Sequence, residues 1–217
     1  MTNAFTKGAF VARRMTETSG AFDGAVMGAC SGLIEGTKVA TARGFQRIEA
    51  IEVGDRVVTF DHGLQEVRAV RREAMWIAEG ECPRTLYPLF VPAGAIDNAQ
   101  DMILLPHQAV LIESDVAEAE LGDPFVLMQA RDLDDICGIT RVAPTEPAMV
   151  ITLEFDNDEV VFANSGAMCI CPSRTDLAGM LSRQPSDHEY RTIKSYSDPA
   201  LVAAIRDELD GGSAQAA

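Results

Sequence analysis

The side chains of this sequence that could do chemistry are few and scattered. His107 is the only histidine in a conspicuous block, Leu104 to Ile112 (LLPHQAVLI), and an imidazole there can carry a proton near neutral pH. Cys30 and Ser31 are adjacent nucleophile types that end a mixed N-terminal stretch. Cys169-Ile170-Cys171 would place two thiols on one face of a strand, about 7 Å apart. With Cys137 or His107 that pair would supply only part of the usual four ligands of a metal site, so a buried structural pair is the expectation, with no metal and no cofactor. Neither Gly-x-Ser-x-Gly nor His-Glu-x-x-His occurs, which leaves a hydrolase acting on a separate substrate without a motif.

The elements that must position these groups read as short strands. Lys38 to Thr41, Phe45 to Ile51 and Arg56 to Phe60 alternate with the turn signals Ala42-Arg43-Gly44, Val53-Gly54-Asp55 and Asp61-His62-Gly63, and Leu64 to Val70 is the expected return strand. Further strands are expected at Arg84 to Val91, Asp101 to Leu105, Gln108 to Ile112, Phe125 to Met128, Ala148 to Phe155 and Glu159 to Ala163. The acidic run Glu113 to Glu120 reads as a solvated loop or a short helix. Helical pattern is confined to the C-terminal part, from about Arg174 to Arg183 behind a Ser173 cap, and from Asp198-Pro199 to a stop before Gly211-Gly212. Residues Gly211 to Ala217 read as a frayed tail, and Trp76 and Phe90 as core or rim aromatics. The fold class is therefore mainly β, a single β-rich domain with short C-terminal helices.

Composition sets the class of partner. Asp and Glu outnumber Lys and Arg by 33 to 18, and the formal charge of -15 repels phosphate backbones, so nucleic acid is not an expected partner. No run approaches the roughly 18 apolar residues of a membrane helix, and the first thirty or so residues lack the continuous hydrophobic region of a secretory signal. Five cysteines at irregular spacing are expected to be reduced thiols, and the cytoplasm is the expected compartment.

Gly36-Thr37-Lys38-Val39-Ala40-Thr41, then Arg43-Gly44-Phe45, Ile48 to Ile51 and Val53-Gly54-Asp55-Arg56-Val57-Val58-Thr59, resembles the opening block of Hint domains, the fold shared by Hedgehog autoprocessing domains and inteins. Leu104 to Ile112 is similar to a second block of that family and Val150 to Gly166 to its closing block. The resemblance implies a Hint-type horseshoe over residues 30–172, preceded by an N-terminal extension (1–29) and followed by a helical extension (173–217). It also implies a chemistry in which the first residue, a Cys or Ser, attacks the preceding carbonyl while a histidine protonates the leaving nitrogen.

The motif residues depart from that pattern. The nucleophile position falls on Gly32, with Cys30 displaced by two residues, some 6 to 7 Å along a strand, and Ser31 turned to the opposite face. The histidine position falls on Gln108 if Pro106 is aligned with the family's proline, while His107 remains the best single site candidate if a bulge absorbs the slip. Leu104 stands where a supporting Thr is expected, and Asp158 where related modules carry a second histidine. Asn164-Ser165 matches the last pair of an intein but lacks the preceding histidine, Ala163 standing there, so splicing is not expected. The resemblance thus implies a Hint scaffold impaired in self-cleavage that acts as a binding module toward an unidentified protein. The competing expectation is a self-cleaving protein that uses Cys30 or Ser31 with His107 to release its N-terminal peptide.

Overall fold

The structure, a computed structural model, describes residues 29–75, 82–144, 148–173 and 190–213. Its strands form two sheets. A six-stranded sheet runs β11(Thr140–Arg141), β7(Leu89–Val91), β8(Met102–Leu104), β1(Leu33–Ile34), β12(Met149–Glu154), β6(Ala69–Ala74). A nine-stranded sheet runs β15(Arg191–Ile193), β10(Phe125–Gln129), β9(Ala109–Glu113), β14(Ala167–Cys171), β13(Glu159–Ala163), β2(Lys38–Thr41), β4(Arg56–Thr59), β5(Gly63–Glu66), with β3(Gly44–Arg47) also pairing with β2. The mainly β expectation holds.

The local turn chemistry explains the two hairpins near the start. Gly44 has φ of +96° and its carbonyl accepts the Thr41 hydroxyl at 2.7 Å, closing β2 onto β3. Gly63 takes φ of +66° at the end of the Asp61-His62-Gly63 tip, bringing Thr59 opposite Gly63. Three expected strands are interrupted. Phe45 to Ile51 ends as a strand at Arg47, and the 3-10 turn Ile48–Ala50 then drives Ile48 and Ile51 into the core. Arg84 to Val91 opens with the 3-10 turn Arg84–Leu86 before β7 begins. Leu64 to Val70 is two strands in different sheets. Val67 is buried at the switch, donating its N–H to the Asp55 carbonyl (2.9 Å) and accepting from Gly54 (2.9 Å), while Arg68 already donates to Glu154 in β12 (2.8 Å).

Between the sheets lies the main core, which includes Leu33, Leu89, Val110, Met128, Ile151, Leu153 and Phe155. Leu104 stands at its centre, paired on one side with Leu33 and on the other with Leu89. The outer face of the nine-stranded sheet is apolar as well, with Leu111, Leu127 and Val160 buried among Phe125, Met168, Ile170 and Tyr190. A sheet buried on both faces needs such near-continuous apolar strands, and Phe125 to Met128 and Val160 to Phe162 supply them.

The acidic run forms a short helix, α1(Asp115–Leu121), because Ser114 caps it by accepting the Ala117 N–H at 3.1 Å and Gly122 ends it at φ of +78°. The segment after residue 189 joins the same body. β15 pairs in parallel with β10, and α2(Pro199–Ser213) buries Val202 and Ile205. Glu208 of α2 accepts the Asp115 N–H at 2.8 Å and the Ser114 hydroxyl, and Arg206 donates to the carbonyls of Asp132 (2.5 Å) and Asp134 (2.8 Å). α2 begins at Pro199 as expected but runs through Gly211 and Gly212 to Ser213. The expected helix from Arg174 to Arg183 lies outside the described residues, as does Trp76.

Removing the Leu104 side chain would leave a hole beside both of its leucine neighbours. Leu104→Ala is expected to lower stability by about 2–5 kcal/mol in urea titrations followed by circular dichroism.

Candidate functional site

The strand order ties the two ends of the short stretch 29–33 to different strands. Ala29 donates its N–H to the Ala74 carbonyl of β6 at 3.1 Å, whereas Leu33 pairs with Ile151 of β12 and Leu104 of β8. The chain between them passes close over β12. Gly32 does so at φ of +117°, and a Cβ there would stand 2.6 Å from Val150 Cγ1 and 2.8 Å from Thr152 Oγ1. Glycine is thus a requirement of this path, both for its dihedral and for its lack of a side chain.

Gln108 meets the same segment. It is 1% exposed, immediately before β9. Its Oε1 accepts the Gly32 N–H at 2.9 Å and the Ser31 hydroxyl at 3.4 Å, while its Nε2 donates to the carbonyls of Ala109 (2.8 Å) and Ile170 (2.9 Å). Both donors and the acceptor of the carboxamide are used, which is what its burial demands. The positions that the sequence comparison assigned to the nucleophile and the histidine are therefore in direct contact.

Cys30 and His107 also come together, through the backbone. The Cys30 carbonyl accepts the His107 N–H at 3.0 Å. The Cys30 thiol is buried, and that burial pushes its pKa up to about 11, with the Cys82 thiol adding to the effect. The His107 ring faces Arg131, whose Nη1 lies 3.4 Å from the imidazole Nε2. Arg131 is held there because its own N–H donates to the Pro106 carbonyl (3.0 Å) and the preceding Ala130 N–H donates to the Gln108 carbonyl (2.9 Å).

The other candidates have structural partners. Leu104 is a core residue. Asp158 Oδ1 accepts the Ser173 N–H at 2.7 Å. Asn164 sits in the β13–β14 turn at φ of +43°, accepting the Lys38 N–H at 2.8 Å and donating to the Asp101 carbonyl at 3.1 Å. Gly166 beside it approaches the 97–99 loop so closely that a Cβ would fall 1.7 Å from the Asp97 carbonyl oxygen. Cys169 and Cys171 do share one face of β14, the buried one, and burial pushes the Cys169 thiol up to about 12 and Cys171 upward as well. Among the described residues, no three ligand-type side chains converge on a point where a metal ion could sit.

Two polar contacts had no mark in the sequence. His62, at the β4–β5 tip, places Nδ1 3.1 Å from Oε2 of Glu159, a carboxylate residue only 2% exposed. Arg131 reaches His107 across 24 residues. Glu159 had one available signal, a charged residue opening an otherwise apolar strand.

A family model described as "Hint domain" matches residues 31–169. No curated protein matches the chain. Among solved structures, a splice-inactive variant of the AceL NrdHF class 3 split intein is similar at 16% identity and a TM-score of 0.44, covering 66% of this chain and 99% of its own. A bacterial intein-like domain from Clostridium thermocellum is similar at 15% identity and a TM-score of 0.42, covering 64% and 97%.

Replacing the Gln108 carboxamide by an isobutyl group would strand the Gly32 N–H and the Ile170 carbonyl in the interior. Gln108→Leu is expected to destabilise the protein by about 2–4 kcal/mol in urea. The raised Cys30 pKa gives a second expectation: at pH 8 about one thiol in a thousand is ionised, and alkylation by iodoacetamide, followed by peptide mass, should accelerate roughly tenfold per pH unit toward pH 11.

Proposed function

Given that the chain belongs to the Hint domain family, we propose that it keeps the family's scaffold, is impaired in self-cleavage, does not splice, and acts as a binding module for a protein partner. The contact between Gly32 and Gln108 carries this reading. At the position where the family needs a nucleophile there is no side chain, and neighbouring Val150 and Thr152 fill the space one would occupy. At the position where the family needs an acid, a carboxamide oxygen accepts the amide N–H of residue 32. An acceptor holds that amide in its intact form and has no proton to give to a leaving nitrogen.

The remaining departures support the same reading. The buried Cys30 thiol stays protonated at neutral pH, so it is a poor nucleophile even before its displacement is considered. Asn164 is tied into a hairpin turn, which does not fit a splice junction. A binding role fits the exposed apolar side chains on and beside the two early hairpins, Phe45 (49%), Val53 (63%) and Leu64 (43%), on a chain whose net charge of -15 disfavours nucleic acid. Among the described residues no helix is long and apolar enough to cross a membrane.

One observation favours a second reading. The Cys30 carbonyl accepts the His107 N–H, a backbone donor of the type that stabilises an oxyanion, and the Ser31 hydroxyl is next along the chain. In that reading Ser31 Oγ attacks the Cys30 carbonyl carbon, the C–N bond breaks, the Ser31 nitrogen leaves as an amine, and the resulting ester hydrolyses to release the N-terminal peptide.

Intact mass of the freshly purified full chain, incubated with dithiothreitol or hydroxylamine, separates the two. A single undiminished mass is expected. Appearance of a fragment ending at Ala29 or Cys30 would sink the impaired-cleavage reading, and its loss in Ser31→Ala would assign the step to Ser31.

A further inference from the structure

The outer face of the nine-stranded sheet is covered unevenly. Around Leu111, Leu127 and Val160 the side chains of Phe125 and Tyr190 pack over it, whereas Phe45 and Leu64, on β3 and β5, are about half exposed. The register shows what lies between those two. Phe45 stands opposite Ala40, and Leu64 opposite Val58. Thr41 joins β2 to β4 at Val57, and beyond that pair β13 enters between them, with Ala163 opposite Val39 and Val161 opposite Thr59. Val39, Thr41, Val57, Thr59, Val161 and Ala163 are buried toward the core, so their alternating neighbours Ala40, Val58 and Phe162 face outward. Cross-strand partners share a face, which makes Phe45, Ala40, Phe162, Val58 and Leu64 one apolar floor. Phe60 stands at its side, its ring edge-on to Phe162 at 6.2 Å.

Cations border this floor on both sides. Arg47 and Lys38, opposite each other, flank one side, and Arg56 flanks the other. The Ala42 N–H donates to the Arg56 carbonyl at 3.0 Å, which sets Arg56 level with Ala42 and four residues, about 13 Å along the strands, from Lys38. The Lys38 ammonium donates to the neutral Gln100 carboxamide at 3.1 Å and keeps its charge uncompensated there. The Arg47–Glu49 pair is exposed and 3.5 Å long, a contact that exchanges partners at little cost. Other nearby carboxylates are engaged, Glu66 by Arg68, Asp55 by Arg43 and Asp61 by the Tyr190 hydroxyl. Residues 38–47 hold three cations and no carboxylate, in a chain where acidic residues outnumber basic ones by 33 to 18. The local sign is opposite to that of the whole.

An apolar floor between two basic flanks fits an α-helix with an apolar stripe and carboxylates on both margins. The flanks are about 13 Å apart and a helix is about 10–12 Å across. Four strands at a spacing of about 4.8 Å make the floor at least about 14 Å long, the rise of about ten helical residues. An anionic bilayer would draw the whole acidic body to its surface, whereas a helix meets only this face. We propose that this face is the docking surface of the binding module and that its occupant is an acidic amphipathic helix of a partner protein, laid across β3, β2, β4 and β5. The proposal rests on the binding-module reading and gives the partner its chemistry.

Fluorescence anisotropy of the full chain with a labelled, end-capped peptide of about sixteen residues, long enough to be helical, tests it. The peptide carries leucine on one helical stripe, glutamate on both margins and alanine or glutamine elsewhere. A version with lysine for glutamate and a scrambled version of the same composition are the comparisons. The glutamate peptide is expected to bind at least about tenfold more tightly than either, and to weaken severalfold from about 50 mM to about 500 mM salt. Phe45→Gln with Leu64→Gln should weaken it about tenfold or more, and Arg47→Glu with Arg56→Glu should turn the preference toward the lysine peptide. Tyr196→Ser, exposed and beyond β15 at the opposite edge of the sheet, should leave binding unchanged, and circular dichroism checks that each variant keeps its β spectrum. Failure of the glutamate peptide to bind, equal binding of the lysine peptide, or indifference to both double variants would overturn the inference. So would binding of anionic phospholipid vesicles through Phe45 and Leu64 in place of the peptide, or a wild-type dimer in light scattering that Phe45→Gln with Leu64→Gln dissolves. The intact-mass experiment is independent of these titrations: a full-length mass without peptide binding rejects only the docking surface, whereas cleavage with peptide binding rejects only the impaired-cleavage reading.

Discussion

A single buried carboxamide ties together three parts of the chain that are far apart in sequence. Gln108 binds the Gly32 amide, the Ile170 carbonyl of β14 and the carbonyl of its own neighbour Ala109. Through Gly32 it fixes the crossing over β12, and through Ile170 it fixes the β9–β14 pairing next to Cys169 and Val110. Each bond is worth only about 1 kcal/mol net, but leaving the same groups buried without partners would cost more than the bonds supply. The interaction therefore specifies the geometry more than it adds stability. Gln108 and Gly32 also specify each other, because the amide can approach the carboxamide only along a path that tolerates no Cβ at residue 32.

How much of this was legible depended on the range of the interaction. The hairpins were readable because Gly44 and Gly63 sit at the turns and alternate with strands of matching period. The shared face of Cys169 and Cys171 followed from a period of two. The sheet switch at Val67 was not readable, since a continuous run from Leu64 to Val70 has the same local pattern whether it stays in one sheet or leaves it. What breaks it is the pair of bonds between Val67 and the Gly54–Asp55 turn, a contact with no local signature. The two-residue strands Leu33–Ile34 and Thr140–Arg141 were missed for the same reason, as both exist only because longer strands offer them an edge.

At the candidate site, sequence reasoning singled out two positions and could not see that they touch. Gly32 and Gln108 were each identified as departures from the family's pattern, one residue at a time. A direct hydrogen bond joins the two. Asp158, at the position where a second histidine was expected, accepts the Ser173 amide N–H. Arg131 escaped notice because a guanidinium after a strand is most often an ordinary surface group, and only the return of the Ala130–Leu133 turn onto Pro106 and Gln108 brings it to His107.

The coupling of these residues limits what either position tolerates. A cysteine placed at residue 32 alone would meet Val150 and Thr152, and a histidine placed at residue 108 alone would forfeit the second donor that holds Ile170. Neither change is neutral by itself, and neighbours that share partners do not add independently. On the proposed reading, the segment's close packing over β12 now stands where space for a nucleophile would be needed.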